Sequence, residues 1–144
     1  MVRVLLVEDN IADVELVREA LDASGLRYVL DVAADFEFAR NCIEGIGDTS
    51  HCPDVILMDL NLPKGSGWDL LRILRAHPKG GKVPVVVVSS SNSPSDRMRA
   101  PEFGVADYFR KPADIDEFMK LGPLIKEILA RPASDAPAGR GGAN

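Results

Sequence analysis

An α/β domain with a doubly wound, five-stranded parallel sheet is predicted by three observations. Five short runs are almost wholly apolar, amphipathic segments separate them, and 144 residues give room for one compact domain with a proper core. A strand covered by helices on both faces loses the apolar/polar alternation of a half-exposed strand, and these runs read that way.

The first candidate strand is Val2–Val7, followed by a helical face carrying Val14, Val17 and Leu21. Residues 28–32 are the second strand, and Asp35 can open a helix running to about Ile46. Val55–Met58 is the third strand; Ser66 with Asp69 then signals a helix start, with Leu71 and Leu74 on its buried face. Residues 85–88 are the fourth strand, and Ser93, Pro94 and Asp96 open the next helix. Residues 106–109 are the last strand, and Asp114 with Glu117 precedes the clearest stripe, Phe118, Leu121, Ile125 and Ile128.

Five strands alternating with five helices imply right-handed crossovers and the strand order 2-1-3-4-5, the flavodoxin-like arrangement. After Leu129 the composition changes to Pro, Ala, Gly and polar residues with nothing to bury. The expected organisation is therefore one domain over residues 1–130 and a disordered tail over 131–144.

Composition narrows the function. A net charge of −5 with no Lys/Arg cluster argues against nucleic acid as a partner. No apolar run is long enough for a membrane span, and the first strand is too short and too quickly followed by acids to be a signal peptide. Cys42 and Cys52 lack disulfide or metal-type spacing, which fits a reducing cytoplasm. His51 beside Cys52 reads as a loop before a strand, because the paired spacing of zinc modules is missing.

Chemistry-bearing residues stand where four strands end. Glu8 and Asp9 follow the first strand, Asp59 the third, Ser89 the fourth and Lys111 the fifth; the second ends in Ala33 and Ala34. In the order 2-1-3-4-5 the four contributing strands are neighbours, so these side chains converge on one crevice at the carboxyl edge. Each has a plainer reading alone: Asp9 a helix cap, Ser89 a loop hydroxyl, Lys111 a solvated charge. Their coincidence at four adjacent strand ends is what argues for a site.

Three carboxylates brought together repel unless a cation or proton compensates. A hard cation that keeps several waters and takes one or two carboxylates matches Mg²⁺. With Lys111 opposite and Ser89 to donate a hydrogen bond, such a pocket suits a dianionic phosphoryl group. Pro112 makes the Lys111–Pro112 bond a candidate cis peptide that would fix the lysine's approach.

Taken together, Leu5-Leu6-Val7-Glu8-Asp9-Asn10, Ile56-Leu57-Met58-Asp59-Leu60-Asn61-Leu62-Pro63 with Gly67, residues 84–91, and Tyr108-Phe109-Arg110-Lys111-Pro112 resemble the receiver domain of bacterial two-component response regulators. The resemblance covers residues 1 to about 130. It implies that Asp59 is the phosphoacceptor, loaded from a phosphohistidine of a sensor histidine kinase or a phosphotransfer protein. It further implies that Asp9, Asp59 and the backbone carbonyl of Asn61 ligate Mg²⁺, with Glu8 acting through water. Ser89 and Lys111 would contact the phosphoryl oxygens, Tyr108 would be an aromatic switch, and Asn61 and Ser91 would tune the phosphoaspartate lifetime. Loading would alter the surface of the fourth helix, fifth strand and fifth helix for a partner or a homodimer. Within the family, Asn10-Ile11-Ala12-Asp13-Val14-Glu15-Leu16, Leu60-Asn61-Leu62-Pro63-Lys64 and the serine run resemble small stand-alone regulators found beside bacterial phytochrome kinases.

Glu8 stands for the family's commoner Asp and Ser89 for its commoner Thr, and both keep the needed chemistry. Pro101 falls where the fourth helix would continue and Gly122-Pro123 inside the fifth. An interior proline costs roughly 3 kcal/mol, so the fourth helix is expected to stop after Arg99 or Ala100 and the fifth to kink near Met119.

Other roles remain open from the sequence. The domain can be a phosphorelay shuttle, a phosphate sink or a receiver that works unphosphorylated. A haloacid-dehalogenase-type phosphatase also uses a strand-end Asp, Mg²⁺, a hydroxyl and a Lys, but with its nucleophile after the first strand and an acidic pair late in the chain. A flavodoxin-like electron carrier needs a Ser/Thr/Gly-rich phosphate loop where this chain has Glu8-Asp9-Asn10.

Overall fold

The computed structural model describes residues 1–47 and 52–131. The expected tail beyond Arg131 and the His51 position lie outside the described residues.

Five parallel strands, β1 (Val2–Val7), β2 (Tyr28–Ala33), β3 (Val55–Met58), β4 (Val85–Ser89) and β5 (Asp107–Arg110), form one sheet in the order β2-β1-β3-β4-β5. β1 and β3 lie inside it, with Leu5 opposite Ile56 and Val7 opposite Met58, while β2 and β5 are outermost. The pleat sends alternate side chains to opposite faces. Leu5, Val7, Ile56, Met58, Val85 and Val87 meet the helices α2 (Phe36–Glu44) and α3 (Gly67–Ala76). Val4, Leu6, Val55, Leu57, Val86 and Val88 meet α1 (Ile11–Ala23) and the C-terminal helices. Two apolar cores therefore clamp the inner strands, which is why those strands read as continuous apolar runs.

Helix starts follow the sequence signals: the side chains of Asp35, Ser66, Ser93 and Asp114 accept from backbone amides of the turns they open. For α1 the cap is Asn10, which accepts from the Asp13 amide at 3.1 Å, so Asp9 does no capping.

Both prolines leave their mark. The fourth helix, α4 (Pro94–Arg99), ends where expected and passes into a 3₁₀ turn, Ala100–Phe103. The fifth helix is two helices: α5 (Ile115–Phe118) and α6 (Leu121–Ala130). The expected kink near Met119 is thus a full break. Pro123 sits in the first turn of α6, where amides have no intrahelical acceptor and a missing N–H costs little. Gly122 lets α6 lie against α1, since a β-carbon there would come within 2.4 Å of the Ala20 carbonyl oxygen.

A two-residue antiparallel pair, Asn61–Leu62 with Gly65–Ser66, was not expected from the sequence. It turns through Lys64, whose φ of 65° lies in the left-handed region. Arg75, half-buried near the end of α3, donates to the carbonyls of Gly81, Val83, Phe103 and Gly104 at 2.7–3.1 Å. It ties the loop before β4 to the turn before β5.

Candidate functional site

The carboxyl edge of β1, β3, β4 and β5 holds the predicted residues. Glu8 leaves β1 buried, with an oxygen accepting from the Asn10 amide at 3.1 Å, while Asp9 is exposed. Asp59 follows β3; its amide extends the ladder to the Val7 carbonyl, and its Oδ1 accepts from the Asn61 amide at 3.3 Å. Glu8, Asp9 and Asp59 each offer an oxygen, and the three lie within 4.8 Å of one another.

Gly67, at the start of α3, is required by this arrangement. A β-carbon there would sit 2.5 Å from the Asp59 carbonyl oxygen and 2.9 Å from the Leu60 Cα. The Gly67 amide donates to the Leu60 carbonyl at 3.0 Å, so the chain just after Asp59 and the first turn of α3 touch directly.

Lys111 reaches into the cluster from beyond β5, its backbone amide held by the Ser89 carbonyl at 2.8 Å. Its ammonium lies 2.7 Å from both Glu8 Oε1 and Asp13 Oδ2, and 3.5 Å from Asp59 Oδ2. The Lys111–Pro112 bond is trans, as is every peptide bond among the described residues. The expected cis bond is therefore absent. Even before proline trans is the lower-energy form, and here the ion pairs and the amide contact hold the lysine without a cis turn.

The electrostatics follow from burial. Burial pushes the Glu8 carboxyl up to about 7, aided by the Asp59 charge and opposed by the Lys111 hydrogen bond. Burial pulls the Lys111 ammonium down, but hydrogen bonds to Asp13 and Glu8 and the Asp59 charge outweigh it and hold the group above the usual lysine value. One ammonium among four carboxylates leaves negative charge uncompensated. An all-oxygen set with that charge fits a hard divalent cation.

Ser89 is fully buried, its hydroxyl oxygen accepting from the Ser91 amide at 3.1 Å. Tyr108, half-buried on β5, donates its hydroxyl to the Ser91 carbonyl at 3.1 Å, and the Arg97 guanidinium lies 4.7 Å over its ring. The Ser91 hydroxyl donates to Asp96 Oδ2 at 2.6 Å, and the Trp68 indole donates to Asp96 Oδ1 at 3.2 Å. The predicted residues thus fall into two joined groups: acids with Lys111, and Ser89–Ser91–Tyr108. Asn61 touches Asp59 only through its amide, its side chain lying exposed.

Sequence reasoning missed Asp13, Trp68 and Asp96. Asp13 lies one helical turn beyond Asp9, a spacing that brings it towards the same strand end. For Trp68 and Asp96, 28 residues apart, no sequence signal of pairing exists.

Comparison with known proteins agrees with this geometry. The chain belongs to the response regulator receiver domain family, whose sequence profile matches residues 4–121. It is similar to response regulator Rcp1 of Synechocystis sp., at 33% identity over 120 residues, covering 82% of each chain. Among solved structures it resembles the phosphorylated cyanobacterial phytochrome response regulator RcpA (TM-score 0.79, 32% identity, 88% of this chain and 92% of that one). It likewise resembles the Mn²⁺-bound form of Rcp1 (TM-score 0.80, 30% identity, 92% and 97%). The chain spans about half the length of the transcriptional regulators it also matches, SphR of Synechococcus elongatus and KdpE of Escherichia coli, at 53% and 56%. It is a two-component signalling domain. No helix among the described residues is long and apolar enough to cross a membrane.

Proposed function

We propose that Asp59 accepts a phosphoryl group from a sensor histidine kinase, with Mg²⁺ held by Asp9, Asp59 and the Asn61 carbonyl and, through water, by Glu8. The observation that carries this reading is the meeting of three carboxylates within 4.8 Å, with the Lys111 ammonium 3.5 Å from Asp59 Oδ2. When bound, the metal supplies charge neutralisation for the phosphoryl oxygens.

An Asp59 carboxylate oxygen attacks phosphorus, a new P–O bond forms, the donor's P–N bond breaks, and its electron pair leaves with the imidazole. Asp59 needs no proton removed, because it reacts as the carboxylate. Lys111 and Ser89 hold the transferred oxygens. Asn61 and Ser91 border the path of the water that later hydrolyses the acyl phosphate and set its lifetime. Tyr108, through Ser91, passes the loaded state to the surface of α4, β5 and the C-terminal helices, where a partner or a second copy docks. The similarity to phytochrome response regulators supports a bacteriophytochrome as the kinase and the cytoplasm as the compartment. The acidic net charge supports a protein rather than a DNA partner.

The test is incubation with acetyl phosphate and Mg²⁺ followed by intact mass measurement. The wild type gains one phosphoryl group and Asp59→Asn gains none. No gain in the wild type overturns the reading.

A further inference from the structure

We infer that Asp13 is a positioning residue that holds the Lys111 ammonium away from the acceptor until Asp59 is loaded. The inference rests on the reading of Asp59 as phosphoacceptor and concerns a residue outside the proposed metal and phosphoryl contacts.

Lys111 Nζ makes two short charged contacts, at 2.7 Å to Glu8 and 2.7 Å to Asp13, and a longer one of 3.5 Å to Asp59. Charge-assisted bonds of the first kind are strong, while 3.5 Å lies beyond a good hydrogen bond. The lysine is therefore anchored on Glu8 and Asp13, and Asp59 is the most distant of the three carboxylates that face it. Glu8 leaves β1 and Asp13 belongs to α1, so the two anchors grip the ammonium from different elements. Lys111 is nearly buried, its side chain 11% exposed, so little water competes for it.

The plainer account is that Asp13 stabilises the first turn of α1 through the helix dipole. Its backbone amide already serves the Asn10 cap. Its carboxylate, however, is spent on a lysine 98 residues away in sequence, which the dipole account does not require. A phosphoryl group on Asp59 brings new oxygens that compete for the same ammonium, and Lys111 reaches them by giving up Asp13. Asp13 thus opposes loading, and its removal frees the lysine.

A double-mutant cycle with Mg²⁺ at saturation tests this, reading beryllofluoride affinity by calorimetry. Asp13→Asn is expected to raise affinity roughly fivefold in the wild-type background and to change it less than about twofold in a Lys111→Ala background, a coupling typical of contacting charged groups. Equal gains in both backgrounds would mean simple charge repulsion and overturn the inference, as would no gain or a loss in the wild type. Nitrogen-detected NMR of the metal-free protein gives a second readout. The anchored Lys111 ammonium is expected to exchange slowly and be visible, and to exchange several-fold faster in Asp13→Asn and Asp13→Ala, where Glu8 alone holds it. An unchanged exchange rate overturns the inference. If wild-type protein fails to bind beryllofluoride, the acceptor reading falls, and the ammonium signal still decides the role of Asp13.

Discussion

The Trp68 indole donates to one oxygen of Asp96 at 3.2 Å, while the other oxygen takes the Ser91 hydroxyl at 2.6 Å. One carboxylate on α4 therefore joins the start of α3 to the loop that leaves β4. Ser91 in turn touches Ser89 through its amide and Tyr108 through its carbonyl. The chain's one tryptophan is wired by three hydrogen bonds to the buried serine at the site.

Asp96→Ala should cut that wire. Beryllofluoride with Mg²⁺ is expected to change Trp68 emission in the wild type and to change it far less in the variant. Loss of the shared acceptor should also lower stability by about 1–3 kcal/mol in urea unfolding. An emission response of undiminished size in Asp96→Ala would show that the indole senses the site by another route.

Glu8 makes the metal-free protein sensitive to pH. Its folded value of about 7 lies above the ordinary 4.5, so between those values the folded chain holds a proton that the unfolded chain has lost. The stability this group contributes is complete below about 4.5 and is lost as pH rises through about 7. Mg²⁺ competes with the same proton, so its affinity should rise from about pH 6 to about pH 8, with proton release on binding. Calorimetry in two buffers of different ionisation enthalpy measures that release, and Glu8→Gln should abolish most of it.

Gly67→Ala should be costly for so small a change. The added methyl has backbone on the far side, not a side chain that can swing away. Overpacking of this kind costs about 1–3 kcal/mol. Because the clash falls on the Asp59 carbonyl, phosphorylation by acetyl phosphate should slow as well. A variant as stable and as quickly labelled as the wild type would refute this account.

Arg75→Lys should destabilise the domain by about 2 kcal/mol, since one ammonium cannot serve four carbonyls spread over two loops. A domain of this size then loses several degrees in melting temperature. Phosphoryl loading at low temperature should persist, because Arg75 makes no contact with the acids or Lys111.

The inner strands were legible because burial on both faces demands unbroken apolar runs: Val2–Val7 and Val55–Met58 stand as expected, and the other three strands shift by no more than a residue at an end. The caps were legible because Asp35, Ser66, Ser93 and Asp114 act locally. The meeting of Glu8, Asp9, Asp59 and Lys111 was legible because strand order alone brings those ends together. What escaped depends on side-chain direction across elements: Asp13 turning to Lys111, Asp96 shared by Trp68 and Ser91, Arg75 bridging two loops. Pro112 misled because a preceding lysine carries no local sign of which isomer the surrounding contacts select. Pro123 falls within what reads as one continuous helix, yet a proline equally suits the opening turn of a new one.

The outermost strands carry exposed charges, Asp31 on β2 and Asp107 and Arg110 on β5. A sheet edge offers unpaired amides and carbonyls to any passing strand, and charged side chains make that docking unfavourable. Two copies of this chain are thus discouraged from zipping their edges into one continuous sheet. At high concentration those charges guard the chain against fibrillar stacking.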